Sequence, residues 1–216
     1  MIQKSKIIME IVESGVVAVI RTESEEKAIQ ISSASMKGGI RSIEVTLTVP
    51  GAADVISMLT KKPEFKNLLV GAGSVLDSET ARIAILAGAK YIVSPCFDQG
   101  TAILCNRYQI PYMPGCMTVT EMKTAMEYGA EIVKMFPGNH FSPSIVKSIK
   151  GPLPQVSIMP TGGVNLENAK EWIKSGAVAV GIGSDLAAPA KKGNYEEVTS
   201  LAKQYCDLVK EARAEM

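Results

Sequence analysis

The feature that most constrains the fold is a regular alternation of short apolar segments with longer amphipathic ones along the chain. The apolar segments are rich in β-branched residues, and each has the length of a buried strand. The eight predicted strands span residues 16–21, 42–47, 68–73, 91–95, 112–115, 132–137, 157–162 and 177–183. Continuous apolar strands joined by helices indicate a parallel sheet that is covered on both faces.

The segments between these strands have helical length and carry helix start and stop signals. They include residues 24–37, 78–87, 118–127 and 165–175, with a further helix near 3–13 and a closing helix over 195–216. Asp77, Thr118 and Asn165 are candidate N-caps. A small-residue stop such as Gly38-Gly39 recurs before several strands. The pattern predicts a repeated βα unit of roughly 20 to 25 residues.

Eight such units, preceded by a helix, predict a single-domain (β/α)8 TIM barrel over residues 1–216 with an extra N-terminal helix. The alternative is an open doubly wound sheet, which places a glycine-rich turn after its first strand. Here the first strand ends in Arg21-Thr22-Glu23 and has no glycine fingerprint. We therefore expect the barrel.

Charge and residue counts exclude several classes of function. The 23 basic and 22 acidic residues are spread along the chain, so we expect neither a nucleic acid nor a membrane partner. No apolar run of about 18 residues and no charged leader occurs, which predicts a soluble cytoplasmic protein. The four cysteines form no CxxC pair, so we expect reduced thiols. His140 is the only histidine, which argues against a multi-histidine metal site, and we expect it in an exposed loop.

Lys134 is the first anomaly in this pattern. It lies inside the apolar run 132–137, which otherwise reads as a fully buried strand. Burying an ammonium group is unfavourable unless the group is paired or neutralised. Desolvation favours the neutral, nucleophilic amine that a Schiff-base enzyme uses. The alternative is a lysine at a strand end whose stem is buried and whose head reaches water.

Glu44 is a second charged residue in a predicted buried strand. Alternation along 42–47 places Glu44 and Thr46 on one face, together with Thr48, and in a barrel that face points inward. An inward carboxylate near an inward lysine is either a structural ion pair or an acid/base partner. Together, the two charged residues in buried strands favour a catalytic role over a structural ion pair.

The carboxyl-terminal ends of barrel strands meet at one mouth, where barrel enzymes keep their active sites. In this chain those ends are rich in polar residues and glycine, whereas the strand starts are nearly all apolar. The last two strands end in Thr161-Gly162-Gly163 and Gly183-Ser184, where backbone N–H groups can bind phosphate. Arg21 adds a cation suited to a carboxylate or phosphate, with an ion pair to Glu44 as the alternative.

Eight short motifs follow one another over nearly the whole chain. They are VAVIR (17–21), IEVT (43–46), GAGSV (71–75), VSP (93–95), MPG (113–115), VKMFP (133–137), PTGGV (160–164) and GIGS (181–184). In this ordered set the chain resembles the 2-keto-3-deoxy-6-phosphogluconate (KDPG) aldolase family. The same enzymes are also called 4-hydroxy-2-oxoglutarate (2-keto-4-hydroxyglutarate, KHG) aldolases.

The resemblance implies a class I aldolase that uses neither metal nor cofactor, forms a homotrimer and serves Entner-Doudoroff carbohydrate metabolism. It assigns the Schiff-base lysine to Lys134 and the acid/base carboxylate to Glu44. It also implies substrate and phosphate contacts at other positions of this chain. Arg21 and Ser74 would meet the pyruvate portion, Pro95, Phe136 and Thr161 would line the pocket, and Gly162, Gly163, Gly183 and Ser184 would hold phosphate.

The implied reaction cleaves a 2-keto-4-hydroxy acid to pyruvate and an aldehyde. The substrate is KDPG, KHG or both, and the aldehyde is glyceraldehyde 3-phosphate or glyoxylate. Two departures from the family stand out: Thr48 occurs where some members carry an arginine for the far end of the substrate, and Ser74 where many carry threonine. A phosphosugar isomerase or decarboxylase and a non-catalytic sugar-phosphate-binding barrel are the alternatives.

Overall fold

The computed structural model describes residues 2–216, and in this part of the chain it contains nine short strands and ten α-helices. The strands are β1 (Val16–Ile20), β2 (Ser42–Thr46), β3 (Leu69–Gly73), β4 (Ile92–Val93), β5 (Tyr112–Met113), β6 (Gly115–Cys116), β7 (Val133–Met135), β8 (Ile158–Pro160) and β9 (Val180–Ile182). The helices are α1 (Gln3–Ser14), α2 (Glu25–Lys37), α3 (Ala52–Lys61), α4 (Ser78–Ala87), α5 (Gln99–Tyr108), α6 (Val119–Glu127), α7 (Ile145–Lys150), α8 (Ala169–Lys174), α9 (Ser184–Ala187) and α10 (Tyr195–Ala214).

Each of the eight predicted strand segments contains at least one observed strand. The fifth is divided at Pro114 into β5, which pairs with β4, and β6, which pairs with β7. Proline has no N–H group to donate, so the hydrogen-bonded ladder is interrupted there. Most of the other strands are shorter than predicted, as in β4 and β9, because pairing with a neighbour ends before the apolar run does.

Side-chain caps begin several helices where the sequence predicts them. Asp77 accepts the N–H of Thr80 at the start of α4, and Thr118 forms a reciprocal capping box at the start of α6. The predicted helix over 165–175 instead begins at Ala169. The Asn165 side chain accepts the N–H groups two and three residues ahead of it, so it holds a turn in front of α8.

All strand pairs are parallel and form two sheets. The six-stranded sheet has the order β5-β4-β3-β2-β1-β9, and the three-stranded sheet has the order β6-β7-β8. They adjoin at both ends: β5 continues into β6 across Pro114, and an isolated parallel bridge joins Thr161 to Gly181. The architecture is therefore an α/β fold built on a curled parallel sheet. Within the described residues, no helix is both long and apolar enough to cross a membrane.

Alternation along the strands divides the apolar residues into two layers. The larger layer lies between the sheets and the helices. The smaller layer lines the inner face together with Ile7 and Ile11 of α1. Its strand residues are Val17, Leu69, Tyr91, Val93, Met113, Ile132, Met159 and Ala179. Because Ser42 pairs in register with both Val17 and Leu69, the inner face of β2 carries Ser42, Glu44 and Thr46.

Candidate active site

Lys134 and Glu44 meet across the inner face of the curled sheet. Lys134 lies on β7 and Glu44 on β2, and Lys134 Nζ is 3.4 Å from Glu44 Oε1. The two side chains are only 6% and 1% exposed. A buried lysine keeps a carboxylate partner because an unpaired buried charge is strongly unfavourable. The structure therefore brings into contact the two charged residues that the sequence analysis singled out.

Glu44 reaches Lys134 by lying across β3 at Gly73. A Cβ atom built on Gly73 would be 1.9 Å from Glu44 Oε1, so any side chain at this position would displace the carboxylate. The register partner of Glu44 is Gly71, which lies two residues before Gly73 on β3. The glycines of β3 thus provide the space in which the carboxylate turns toward the amine.

Arg21 and Ser74 form a second polar contact at the carboxyl ends of β1 and β3. Arg21 Nη2 donates a hydrogen bond of 3.1 Å to Ser74 Oγ, and the Arg21 side chain is exposed. Ser74 has a φ of 57°, which lies in the left-handed region that non-glycine residues rarely adopt. The alternative ion pair between Arg21 and Glu44 is not formed, because Lys134 is the partner of Glu44.

The loops that follow β8 and β9 lie next to each other. The bridge between Thr161 and Gly181 joins them, and Thr161 Oγ1 is buried against Gly181 without a hydrogen-bond partner among residues 2–216. Gly162 and Gly163 have φ values of 90° and 73°, a backbone path open to glycine. Gly183 and Ser184 open the short helix α9, and Ser184 is exposed.

Phe136 and Pro95 are half-buried, and the Phe136 ring lies next to Gly162. The Phe136 ring centroid is 5.2 Å from Lys134 Nζ, within the range of a cation–π contact. The Pro95 carbonyl oxygen packs closely on Gly115, where a Cβ atom would be 2.0 Å away. Thr48, in contrast, is exposed and is hydrogen-bonded to Thr46 over 2.9 Å.

Tyr91 is a polar residue of the inner face that the sequence reasoning missed. Its ring lies over Gly71, with Cζ 2.5 Å from the position of a Cβ atom there. Complete burial, and then the negative charge of Glu44, raise the pKa of Tyr91 well above its usual value, so its hydroxyl remains protonated. Alternation along 91–95 puts Tyr91 on the same face as Pro95, and that signal was present in the sequence.

The remaining titratable candidates lie apart from this cluster. His140 is exposed in a short 3-10 turn, as expected. The cysteines are unpaired, and burial raises the pKa of both Cys105 and Cys116 to about 12. Within residues 2–216, no three His, Cys, Asp or Glu side chains are grouped so that they could hold a metal ion.

The geometry brings together the parts of a carbonyl-addition site. A buried amine is adjacent to a carboxylate that can accept a proton, and a fixed cation lies at the mouth. The glycine-containing loops that follow β8 and β9 lie next to each other. This arrangement can form an imine with a keto group and transfer protons on its adjacent carbon.

Comparison with known proteins agrees with this chemistry. A model of KDPG and KHG aldolases matches residues 7–201. The 2-dehydro-3-deoxy-phosphogluconate aldolase of Treponema pallidum (strain Nichols) is 33% identical over 198 residues, covering 90% of this chain and 93% of that protein. The KHG/KDPG aldolase of Escherichia coli (strain K12) is 33% identical over 193 residues, covering 88% and 89%.

A solved structure shows the same similarity in three dimensions. It is the KDPG aldolase from Legionella pneumophila, with pyruvate captured at low pH as a covalent carbinolamine intermediate. It superposes with a TM-score of 0.82 at 31% identity, covering 89% of this chain and 94% of that one. By family model, sequence and structure, this chain belongs to the KDPG and KHG aldolase family.

Proposed function

We propose that this protein is a class I aldolase that cleaves a 2-keto-4-hydroxy acid to pyruvate and an aldehyde through a lysine Schiff base. The substrate is KDPG, KHG or both, and the aldehyde is glyceraldehyde 3-phosphate or glyoxylate. The observation that carries the proposal is the buried contact of 3.4 Å between Lys134 Nζ and Glu44 Oε1. Membership of the aldolase family supports it independently.

In the proposed mechanism, neutral Lys134 attacks the C2 ketone and forms a carbinolamine, which loses water to give a protonated imine. Glu44, acting through a water molecule, removes the proton of the C4 hydroxyl, and the C3–C4 bond breaks. The bonding electrons move into the iminium, which becomes an enamine, and the aldehyde leaves. Glu44 returns a proton to C3, and hydrolysis of the imine releases pyruvate and restores Lys134.

The remaining site residues bind and orient the substrate. Arg21 and Ser74 bind the pyruvate-derived carboxylate, since a guanidinium beside a hydroxyl supplies several convergent donors. Thr161 donates its unpaired hydroxyl to the bound substrate. Pro95 and Phe136 line the pocket. Gly162, Gly163, Gly183 and Ser184 bind the phosphate of a phosphorylated substrate through main-chain N–H groups and the serine hydroxyl.

We also propose that residues 1–216 form one (β/α)8 barrel domain. The two sheets would close into one ring of eight strands, with β5 and β6 serving as the two halves of the fifth. The continuity across Pro114 and the bridge from Thr161 to Gly181 support this closure. A closed ring would bring the carboxyl ends of all eight strands to one mouth around Lys134.

The proposed assembly is a homotrimer located in the cytoplasm. Large apolar side chains are exposed on or beside α4, α5 and the start of α6, at 44–70% of their area. They are Leu76, Ile83, Leu86, Ile103, Met117 and Val119. A second copy of the chain would cover this face, as a symmetric oligomer requires. The unpaired thiols suit a reducing compartment.

The deciding experiment is mass spectrometry after incubation with pyruvate and borohydride. Wild type should gain the mass of reduced pyruvate on Lys134, whereas Lys134→Arg should gain none. Arginine keeps a positive charge beside Glu44 but is not a nucleophile, so this variant separates the imine from the ion pair. Glu44→Gln should still be trapped while its turnover falls about 10²–10⁴-fold.

An intact wild type that forms no adduct would refute the Schiff base. The same trapping separates the aldolase from an isomerase or decarboxylase, which needs no imine. A Glu44→Gln variant with full turnover would remove the acid/base assignment.

A further inference from the structure

Four buried oxygen atoms on the inner face have no hydrogen-bond partner among the described residues. They are Ser42 Oγ, Glu44 Oε2, Thr161 Oγ1 and the hydroxyl oxygen of Tyr91. Glu44 and Tyr91 are 1% and 0% exposed. A buried polar atom without a partner is costly, so the Tyr91 hydroxyl and Glu44 Oε2 each require a partner.

The backbone places the Tyr91 hydroxyl near Glu44. Glu44 pairs in register with Gly71, and the tip of the Tyr91 ring lies over Gly71. Tyr91 therefore points its hydroxyl toward Glu44 from the far side of β3. Ser42 is level with Leu69, whereas the Glu44 carboxylate lies at Gly73, so the Ser42 hydroxyl is too far from the carboxylate to share a water molecule with it.

Only one oxygen of the Glu44 carboxylate has a partner among the described residues. Oε1 faces Lys134 at 3.4 Å, whereas Oε2 has no partner. Lys134 from β7 and Tyr91 from β4 face this carboxylate. At the level of Gly73, where the carboxylate lies, the chain that follows β1 reaches Arg21, which is hydrogen-bonded to Ser74.

We propose that Tyr91 is a positioning residue for Glu44, and that its hydroxyl holds Glu44 Oε2 through one internal water molecule. Tyr91 donates a hydrogen bond to the water, and the water donates one to Oε2. The inference rests on the roles proposed above for Lys134 and Glu44.

This water would fix the carboxylate from below while Oε1 remains available for proton transfer. Removing the Tyr91 hydroxyl should therefore impair proton transfer. Imine formation at Lys134 should continue.

The test uses Tyr91→Phe and measures two steps separately. Exchange of the pyruvate methyl protons in D₂O, followed by NMR, reports proton transfer at C3. Borohydride trapping reports the imine. We expect a normal yield of adduct and exchange slowed about tenfold.

A matched control removes another buried tyrosine hydroxyl. Tyr112 lies in the outer layer, where its hydroxyl is 2.7 Å from Ser94 Oγ. Tyr112→Phe should lower the melting temperature and leave the exchange rate unchanged. Tyr91→Phe should lower both the melting temperature and the exchange rate, because its hydroxyl is bound in the folded protein.

The opposite sign of the stability change would overturn the inference. If the Tyr91 hydroxyl has no partner, Tyr91→Phe removes a buried unsatisfied group, so the variant should melt at a higher temperature and exchange like wild type. That result with a normal wild-type adduct would overturn this inference alone. Absence of the adduct in wild type would overturn the proposed function and this inference with it.

Discussion

Gly73→Ala tests the contact between Lys134 and Glu44 without replacing either charged residue. The φ of Gly73 lies outside the left-handed region, so the backbone accepts alanine. The obstacle is space, because the added Cβ would be 1.9 Å from Glu44 Oε1. Since an ordinary contact begins near 3.4 Å, the carboxylate must move by about 1.5 Å.

A displacement of this size separates Glu44 from Lys134, whose contact is already 3.4 Å long. We expect turnover to fall about 10²–10⁴-fold, the contribution of a well-placed acid/base group. Crowding in a filled interior should lower the free energy of unfolding by about 1–3 kcal/mol. Steady-state aldehyde release and urea unfolding measure the two effects.

Gly100→Ala in α5 is the matched control. Its Cβ would meet its nearest neighbour at 3.3 Å, a side-chain oxygen of Asp98. Alanine is the better helix former by roughly 1 kcal/mol, so this variant should keep full activity and equal or higher stability. If Gly73→Ala behaved like Gly100→Ala, the carboxylate of Glu44 would not lie across β3, and the geometry of the pair would be wrong.

Two further predictions concern Arg21 and the cap of α6. Arg21→Lys should raise the KM for the 2-keto acid about tenfold with a smaller change in kcat, because lysine loses the forked donors that reach Ser74; steady-state kinetics with an unchanged KM would contradict this. Hydrogen bonds from the main-chain N–H groups of Met117 and Thr118 lower the pKa of Glu121 in the folded protein. The ionised carboxylate therefore stabilises the fold fully above about pH 4.3, the pKa of glutamate in an unfolded chain. This contribution is lost as the pH falls through the lowered pKa of the folded state. Urea unfolding should therefore show a cost of Glu121→Gln at pH 7 that shrinks below about pH 4, and a cost independent of pH would refute the assignment.

Lys134 and Glu44 could be recognised from the sequence as candidate site residues, because each places a charged group in an otherwise apolar strand. Strand alternation then placed Glu44 on the inward face, and the structure places the two residues in contact. The partner of Arg21 could not be chosen from sequence, since Glu44 and a substrate anion were both possible. Only the spatial position of Lys134 shows that Glu44 is already paired.

The contacts of β3 were beyond the reach of sequence reasoning. That Gly73 lies under Glu44 and Gly71 under Tyr91 depends on the register between neighbouring strands. A register that differed by one residue would move every side chain to the other face. Strand lengths and the break at Pro114 also depend on the neighbouring strand, so their bounds were predicted less well than their positions.

The helix α1 has a consequence for how the chain is made. Its side chains Ile7 and Ile11 pack against inner-face residues that extend along the chain as far as Ala179. During synthesis this helix emerges before all of those residues, and Ala179 follows long after it. Its apolar side therefore stays partly open to chaperones or to other nascent chains until the segment that contains Ala179 has been translated. Contacts between such distant segments also slow folding, so α1 is synthesised early and buried late.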